Sequence, residues 1–239
     1  MLLFYVRHGD PTYRPDALTP LGRRQAEAVA RRLALYGLDG IYASTSARAI
    51  QTAEPTAEIL KMEITQLDFC NEAHAWRDFA PLNDAGRNSW LPDNSKYRAL
   101  LCSPALHAMG KEWYRHEAFA ETTVAEGVAR VARETDAFFA SLGYRHIPEE
   151  NCYEGDPKDS RRIALFAHAG FGDAFLSYVL DIPYPVYSTR FALGHSGMTV
   201  IEFKPDACGR IMPCMLQLSN DSHLYRDGLP TNYQNRICF

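Results

Sequence analysis

Two short apolar runs, each ending in a histidine, constrain this chain more than any other feature. The first is LLFYV at residues 2–6, followed at once by Arg7, His8 and Gly9. The second is RIALFA at residues 162–167, followed by His168 and the small-residue run AGFG. Runs of this length and composition read as strands buried on both faces. A buried strand end is a poor place for a guanidinium and two imidazoles unless they serve a ligand. Open parallel sheets bind ligands at the carboxyl ends of their strands. Gly9 and the residues after His168 let backbone approach a ligand closely. The helix expected after His168 offers it free N–H groups.

The segments between these runs alternate strand and helix. LTPLGRRQAEAVARRLALYG predicts a helix with Thr19 as N-cap, Pro20 in the first turn and Gly37 as its stop. Its apolar stripe falls on Leu21, Val29, Leu33 and Tyr36. DGIYAS follows as a strand, then SARAIQTAEPTAEIL as a helix that Pro55 should kink or restart, then EITQLDF as a third strand. Residues 122–144 predict a long helix with a Thr123–Glu126 capping box and Gly143 at its end. Residues 145–160 read as a polar loop, and 198–218 as a hairpin turning around PDACGR. This order predicts an α/β fold: a three-layer α/β/α sandwich with a mostly parallel central sheet. We expect a single domain over residues 1–239, with an inserted cap of short helices at about 73–121, where periodicity breaks down.

Composition narrows the function classes. The formal charge of −4 over 239 residues offers no basic face, so no nucleic-acid partner is expected. No apolar run reaches the length of a membrane span, so no membrane partner is expected either. The six cysteines are scattered without a Cys-x-x-Cys pair. Together with the lack of a secretion signal, this predicts reduced thiols in a cytoplasmic protein and no zinc site.

Arg48 lies in the first turn of the helix after the second strand, near the same sheet edge. Arg7, His8, Arg48 and His168 are therefore expected to meet. Two guanidiniums and two imidazoles around one point suit a phosphoryl group, since each Arg can fork onto phosphate oxygens. One neutral imidazole can attack phosphorus. His195, just before a late strand, reads as structural.

These pieces, in this order, resemble the histidine phosphatase superfamily, its phosphoglycerate-mutase-like branch 1. The matching stretches are VRHG (residues 6–9), LTPLGRRQAEAVARRL (18–33), YASTSARAIQTA (42–53), NEAHAW (71–76) and LFAHAG (165–170). The resemblance implies that His8 is the nucleophile that forms a phosphohistidine. It implies that Arg7, Arg48 and His168 clamp the phosphoryl group, and that Glu72 is the general acid. It implies no metal and no cofactor, because the arginines and the second histidine supply the positive charge. The expected activity is a metal-independent phosphomonoesterase of the histidine acid phosphatase type, acting on a small phosphorylated substrate. A homo-oligomer is left open.

Departures from the family pattern bear on the substrate. Asp10 and Arg14, in RHGDPTYRPD, stand where mutase-type relatives carry other residues, and Asp10 or His74 is an alternative to Glu72 as the acid. The insertion holds only single arginines (Arg77, Arg87, Arg98, Arg115), where mutases pair them for a second phosphate. Hydrolysis is therefore expected over a phosphoglycerate-mutase-type transfer. A non-catalytic phospholigand binder or a protein-interaction member of the fold remains an alternative. Of the aromatics Trp76, Trp90, Tyr97, Trp113 and Tyr114, Trp76 is the candidate for substrate contact.

Overall fold

The computed structural model describes residues 1–231, so Cys238 lies outside the described residues. In chain order, β1 (Leu2–Arg7) leads to the small hairpin of β2 (Pro11–Tyr13) and β3 (Asp16–Leu18). Next come α1 (Pro20–Tyr36), β4 (Gly40–Ser44), α2 (Ala47–Leu60), β5 (Ile64–Leu67) and α3 (Glu72–Phe79). Short helices follow, among them α4 (Arg98–Leu101) and α5 (Pro104–Ala108), before the long α6 (Val124–Ser141). The chain continues through β6 (Arg145–Ile147), β7 (Cys152–Glu154), β8 (Arg162–Ala167), α7 (Ala169–Val179) and α8 (Tyr184–Ser188). It closes with β9 (Met198–Glu202), β10 (Arg210–Ile211), β11 (Cys214–Asn220) and α9 (Ser222–Arg226).

Six strands form one sheet in the order β11-β9-β1-β8-β4-β5. β1, β8, β4 and β5 run parallel, while β9 and β11 add an antiparallel edge. The sheet is covered on both faces, as the alternation along β1 shows. Phe4 and Val6 join Val29 and Leu33 of α1 and Ala53 of α2 on one side. Leu3 and Tyr5 join Phe138 and Phe139 of α6 and Phe171 and Phe175 of α7 on the other. Full burial of each such side chain contributes roughly 1.5–3 kcal/mol over its exposed state. The architecture is the expected α/β fold with a mostly parallel sheet.

Helix α1 forms for the expected reasons. Thr19 Oγ1 accepts the Gly22 N–H at 3.0 Å, Pro20 fills the first turn, and Gly37 at φ +68° returns its N–H to Leu33. Its covered face runs through Gly22, Gln25, Ala26, Val29 and Leu33, whereas Tyr36 stays exposed. Helix α2 runs through Pro55 without restarting.

Two expectations need correction. The Thr123–Glu126 capping box does not form, because Thr123 Oγ1 donates to the Arg77 carbonyl at 2.8 Å and so ties α6 to the end of α3. The hydroxyl has turned to a tertiary acceptor and away from the local N–H donor of Glu126. Residues 145–160 are not a plain loop: β6 and β7 pair there, and β10 adds a third strand. Tyr153 and Cys152 are buried beneath them, which gives this polar stretch an apolar anchor. Most aromatics of 73–121 are packing groups. Tyr97, Trp113 and Phe119 are buried, and Trp113 stacks on Tyr184 at 5.2 Å. Among the described residues, no helix is long and apolar enough to cross a membrane.

Candidate active site

The sheet register builds the site. β1 and β8 pair so that Arg7 stands opposite Ala167. His8 and His168 therefore leave the sheet at the same level, their ring centroids 5.2 Å apart. The first turn of α2 brings Arg48 to the same edge. A cleft of about 900 Å³ opens there, lined by Arg7, His8, Arg48, Glu72, Trp76 and Asp173 among others.

His8 is buried, with Nδ1 2.7 Å from the Gly9 carbonyl oxygen. A carbonyl only accepts, so Nδ1 carries the proton and Nε2 keeps its lone pair. Burial, and next the charge of Arg7, hold the His8 pKa well below the usual imidazole value. The ring is thus neutral with a free nucleophilic nitrogen.

His168 is fully buried and has the opposite tautomer. Its Nδ1 lies 3.2 Å from Arg48 Nη2, which can only donate. Its Nε2–H therefore points to Ser44 Oγ at 2.8 Å and Ser46 Oγ at 3.2 Å. Burial, reinforced by His8 and the two arginines, keeps this ring neutral as well.

Each arginine is held from behind. Arg48 Nη1 donates to Asp16 Oδ1 at 2.7 Å, and Asp16 Oδ2 accepts the Ala47 N–H at 2.9 Å. Arg7 Nη1 donates to the Leu193 carbonyl, and its Nη2 to His195 Nε2 at 2.8 Å. Burial, with Arg7 next, lowers the His195 pKa to about 4, so His195 also accepts as a neutral ring. The Nε–H of Arg7 and that of Arg48 are both buried without a protein acceptor. Two unmet donors on arginines that line the same cleft are costly unless a ligand takes them.

Glu72 departs from expectation in an informative way. Its Oε1 accepts the Gly170 N–H at 3.0 Å and its Oε2 the Phe171 N–H at 2.8 Å. The first-turn N–H groups of α7 that were expected to face the ligand are taken by this carboxylate. Burial raises the Glu72 pKa, and the two N–H donors only partly offset it.

Trp76 lines the cleft, half-exposed, and meets Trp90 edge-on at 5.0 Å. Asp10, Arg14 and His74 stand outside the cleft lining. Asp10 Oδ2 accepts from Thr19 Oγ1 at 2.6 Å, and its Oδ1 is 3.6 Å from His195 Nδ1. Arg14 is exposed at the tip of the β2–β3 hairpin. His74 pairs with Asp68 at 2.9 Å on the surface. Sequence reasoning missed Asp16, Ser44, Ser46 and Asp173, and took His195 as structural when it braces Arg7. The serines were visible in YASTS beside the strand end, and Asp173 follows His168 by little more than one turn. Nothing local marked Asp16, which reaches Arg48 across 32 residues. Among the described residues, no group of three or more His, Cys, Asp or Glu side chains is placed to hold a metal ion.

Comparison with known proteins bears on the family and the fold. Residues 3–87 match the model of the histidine phosphatase superfamily, branch 1. The resemblance is borne out over that segment. The PE-PGRS family protein PE_PGRS11 of Mycobacterium tuberculosis is 35% identical over 99 residues, which is 36% of this chain and only 17% of that protein. Two solved structures resemble the whole fold. A phosphoserine phosphatase from Entamoeba histolytica, in complex with 3-phosphoglyceric acid, has a TM-score of 0.57 at 17% identity, over 93% of this chain and 98% of its own. A mycobacterial glucosyl-3-phosphoglycerate phosphatase with inorganic phosphate has a TM-score of 0.59 at 20% identity, again over 93% and 98%. The fold is thus phosphoglycerate-mutase-like.

Proposed function

We propose that this chain is a phosphomonoester hydrolase that works through a phosphohistidine at His8. One observation carries the reading: the neutral His8, its Nε2 lone pair free, sits beside two arginines whose buried Nε–H groups lack protein acceptors. In the first step His8 Nε2 attacks phosphorus, and the P–O bond to the alcohol breaks. The leaving oxygen takes a proton from Glu72. In the second step Glu72 accepts a proton from water, the water oxygen bonds phosphorus, and the N–P bond breaks. Arg7 and Arg48 hold the charge that spreads over the equatorial oxygens, and His168 positions Arg48 by accepting from its Nη2.

In this reading residues 73–121 act as a cap over the cleft, and the partner is a small phosphorylated molecule. The five described cysteines are unpaired, which supports a cytoplasmic setting. The cleft lining carries no Lys, and no Arg beyond Arg7 and Arg48. That favours hydrolysis over a transferase with a second phosphate site. The test is phosphate release from a panel of esters in EDTA, by wild type and His8→Ala, with acid-labile label trapped on the protein. Release that survives the chelator, label that forms, and loss of both in His8→Ala are expected. Release by His8→Ala at the wild-type rate would refute the assignment.

A further inference from the structure

The cleft joins a cationic focus to acidic and aromatic surroundings. Its lining includes the carboxyls of Asp16, Glu72, Asp93 and Asp173 against the guanidiniums of Arg7 and Arg48. Two of these carboxyls have partners already described: Asp16 grips Arg48, and Glu72 accepts two backbone N–H groups. Among the described residues, the side chains of Asp93 and Asp173 make neither a hydrogen bond nor an ion pair. Asp93 is exposed at the cleft mouth, whereas Asp173 is half-buried in the lining, where a cation or a donor would stabilise its charge. Burial, with Glu72 next, pushes the Asp173 pKa well up, which a neighbouring cation would reverse.

The aromatic lining points the same way. Trp76 and Trp90 cross at 83°, so they present two ring faces at a right angle. Trp90 lies flat against Gly170, where any Cβ would come within 2.3 Å of its ring. Tyr13 and Phe191 add exposed rings to the same cleft. Perpendicular tryptophan faces beside carboxyls suit an alkylammonium group.

We infer that the substrate is the phosphomonoester of a small amino alcohol. Its phosphoryl group sits on Arg7 and Arg48, and its ammonium head lies among Trp76, Trp90, Asp93 and Asp173. This rests on the phosphatase reading of the same cleft and narrows it. A leaving group that carries a carboxylate or a second phosphate meets like charge and finds no further cation there.

The test compares kcat/KM of the full chain in EDTA for phosphocholine and phosphoethanolamine with that for glycerol phosphate, 3-phosphoglycerate and p-nitrophenyl phosphate. A preference of at least about ten-fold for the cationic esters over glycerol phosphate is expected. In Asp93→Asn and Asp173→Asn that preference should fall toward parity. Should Asp173→Asn fail to fold, Asp93→Asn alone carries the same comparison. A tryptophan-fluorescence titration with phosphocholine and glycerol phosphate reads binding without chemistry. Hydrolysis of all esters with no cation preference, or a preference unchanged in both variants, overturns this inference and leaves the phosphatase reading intact. Tighter binding of phosphocholine with no hydrolysis of any ester supports the ligand class and overturns the phosphatase reading. Neither hydrolysis nor binding overturns both.

Discussion

Glu72→Gln separates the two jobs that the structure gives this residue. Glu72 holds both Gly170 and Phe171 N–H groups with its two oxygens. Glutamine keeps the shape but has one acceptor oxygen, so its NH2 must face the other N–H. A hydrogen bond to a charged group is worth roughly 1.5–3 kcal/mol. Part of that is returned because burial already disfavours the Glu72 charge. A net destabilisation of about 1–2 kcal/mol follows, or about 2–8 °C in Tm for a chain of this size. Chemical denaturation measures it. The catalytic loss is larger: removing a general acid costs roughly 10²–10⁴-fold. It should also depend on the leaving group. An alkyl phosphate needs the proton in the first step, whereas a nitrophenolate leaves without one. Stopped-flow with p-nitrophenyl phosphate should therefore show a retained burst followed by slow turnover, because water activation still needs the carboxylate. Equal loss of the phosphorylation step for alkyl and aryl esters would refute the acid role. An unchanged denaturation midpoint would refute the helix-cap role.

Three further outcomes follow from the geometry. Gly22→Ala should destabilise by about 1–3 kcal/mol, because its Cβ would lie 2.1 Å from the Asp10 carbonyl oxygen; a rise in Tm, as helix propensity alone predicts, would refute the close contact. Asp16→Asn should lower kcat/KM roughly ten- to hundred-fold by loosening Arg48, with Tm moving little, and parity with wild type would show that Arg48 needs no brace. His8 and His168 should stay neutral in NMR titrations to well below pH 6.5, since burial and the arginines depress both. Because their folded pKa values lie below the unfolded one, the stability they contribute is complete above about pH 6.5 and is lost as pH falls; half-protonation near 6.5 in the folded protein would refute this.

Much of this was legible in the sequence, for physical reasons. A buried strand has a composition of its own, so LLFYV and RIALFA declared themselves. The histidines that end them could be placed at one edge once the sheet was taken as parallel. Helix α1 carries its proline in its first turn and its cap and terminating glycine in the residues that flank it. What failed was whatever depended on distant partners. Thr123 matched a local capping pattern, yet its hydroxyl found the Arg77 carbonyl. The N–H groups of α7 looked free until Glu72, 98 residues earlier in the chain, was seen to take them. Of the aromatics of 73–121, Trp76 could be assigned to the cleft because it follows Glu72 by one turn, whereas nothing local marked Trp90, which lines the cleft too.

Two imidazoles explain why the arginines are in place before any ligand arrives. Arg48 donates to His168 Nδ1, and Arg7 donates to His195 Nε2. A ring nitrogen accepts from a guanidinium only while it is unprotonated. Burial keeps these rings neutral, and the positive field that suits the site to phosphate adds to it, because protonating either one would set two cations in contact at low dielectric. Neutrality of His168 and His195 is therefore a condition of the clamp as well as a consequence of it. An arriving phosphoryl group offers each guanidinium a stronger, charged acceptor. The clamp can then tighten by exchanging an imidazole lone pair for a phosphate oxygen, without either arginine leaving its other carbonyl or carboxylate anchor.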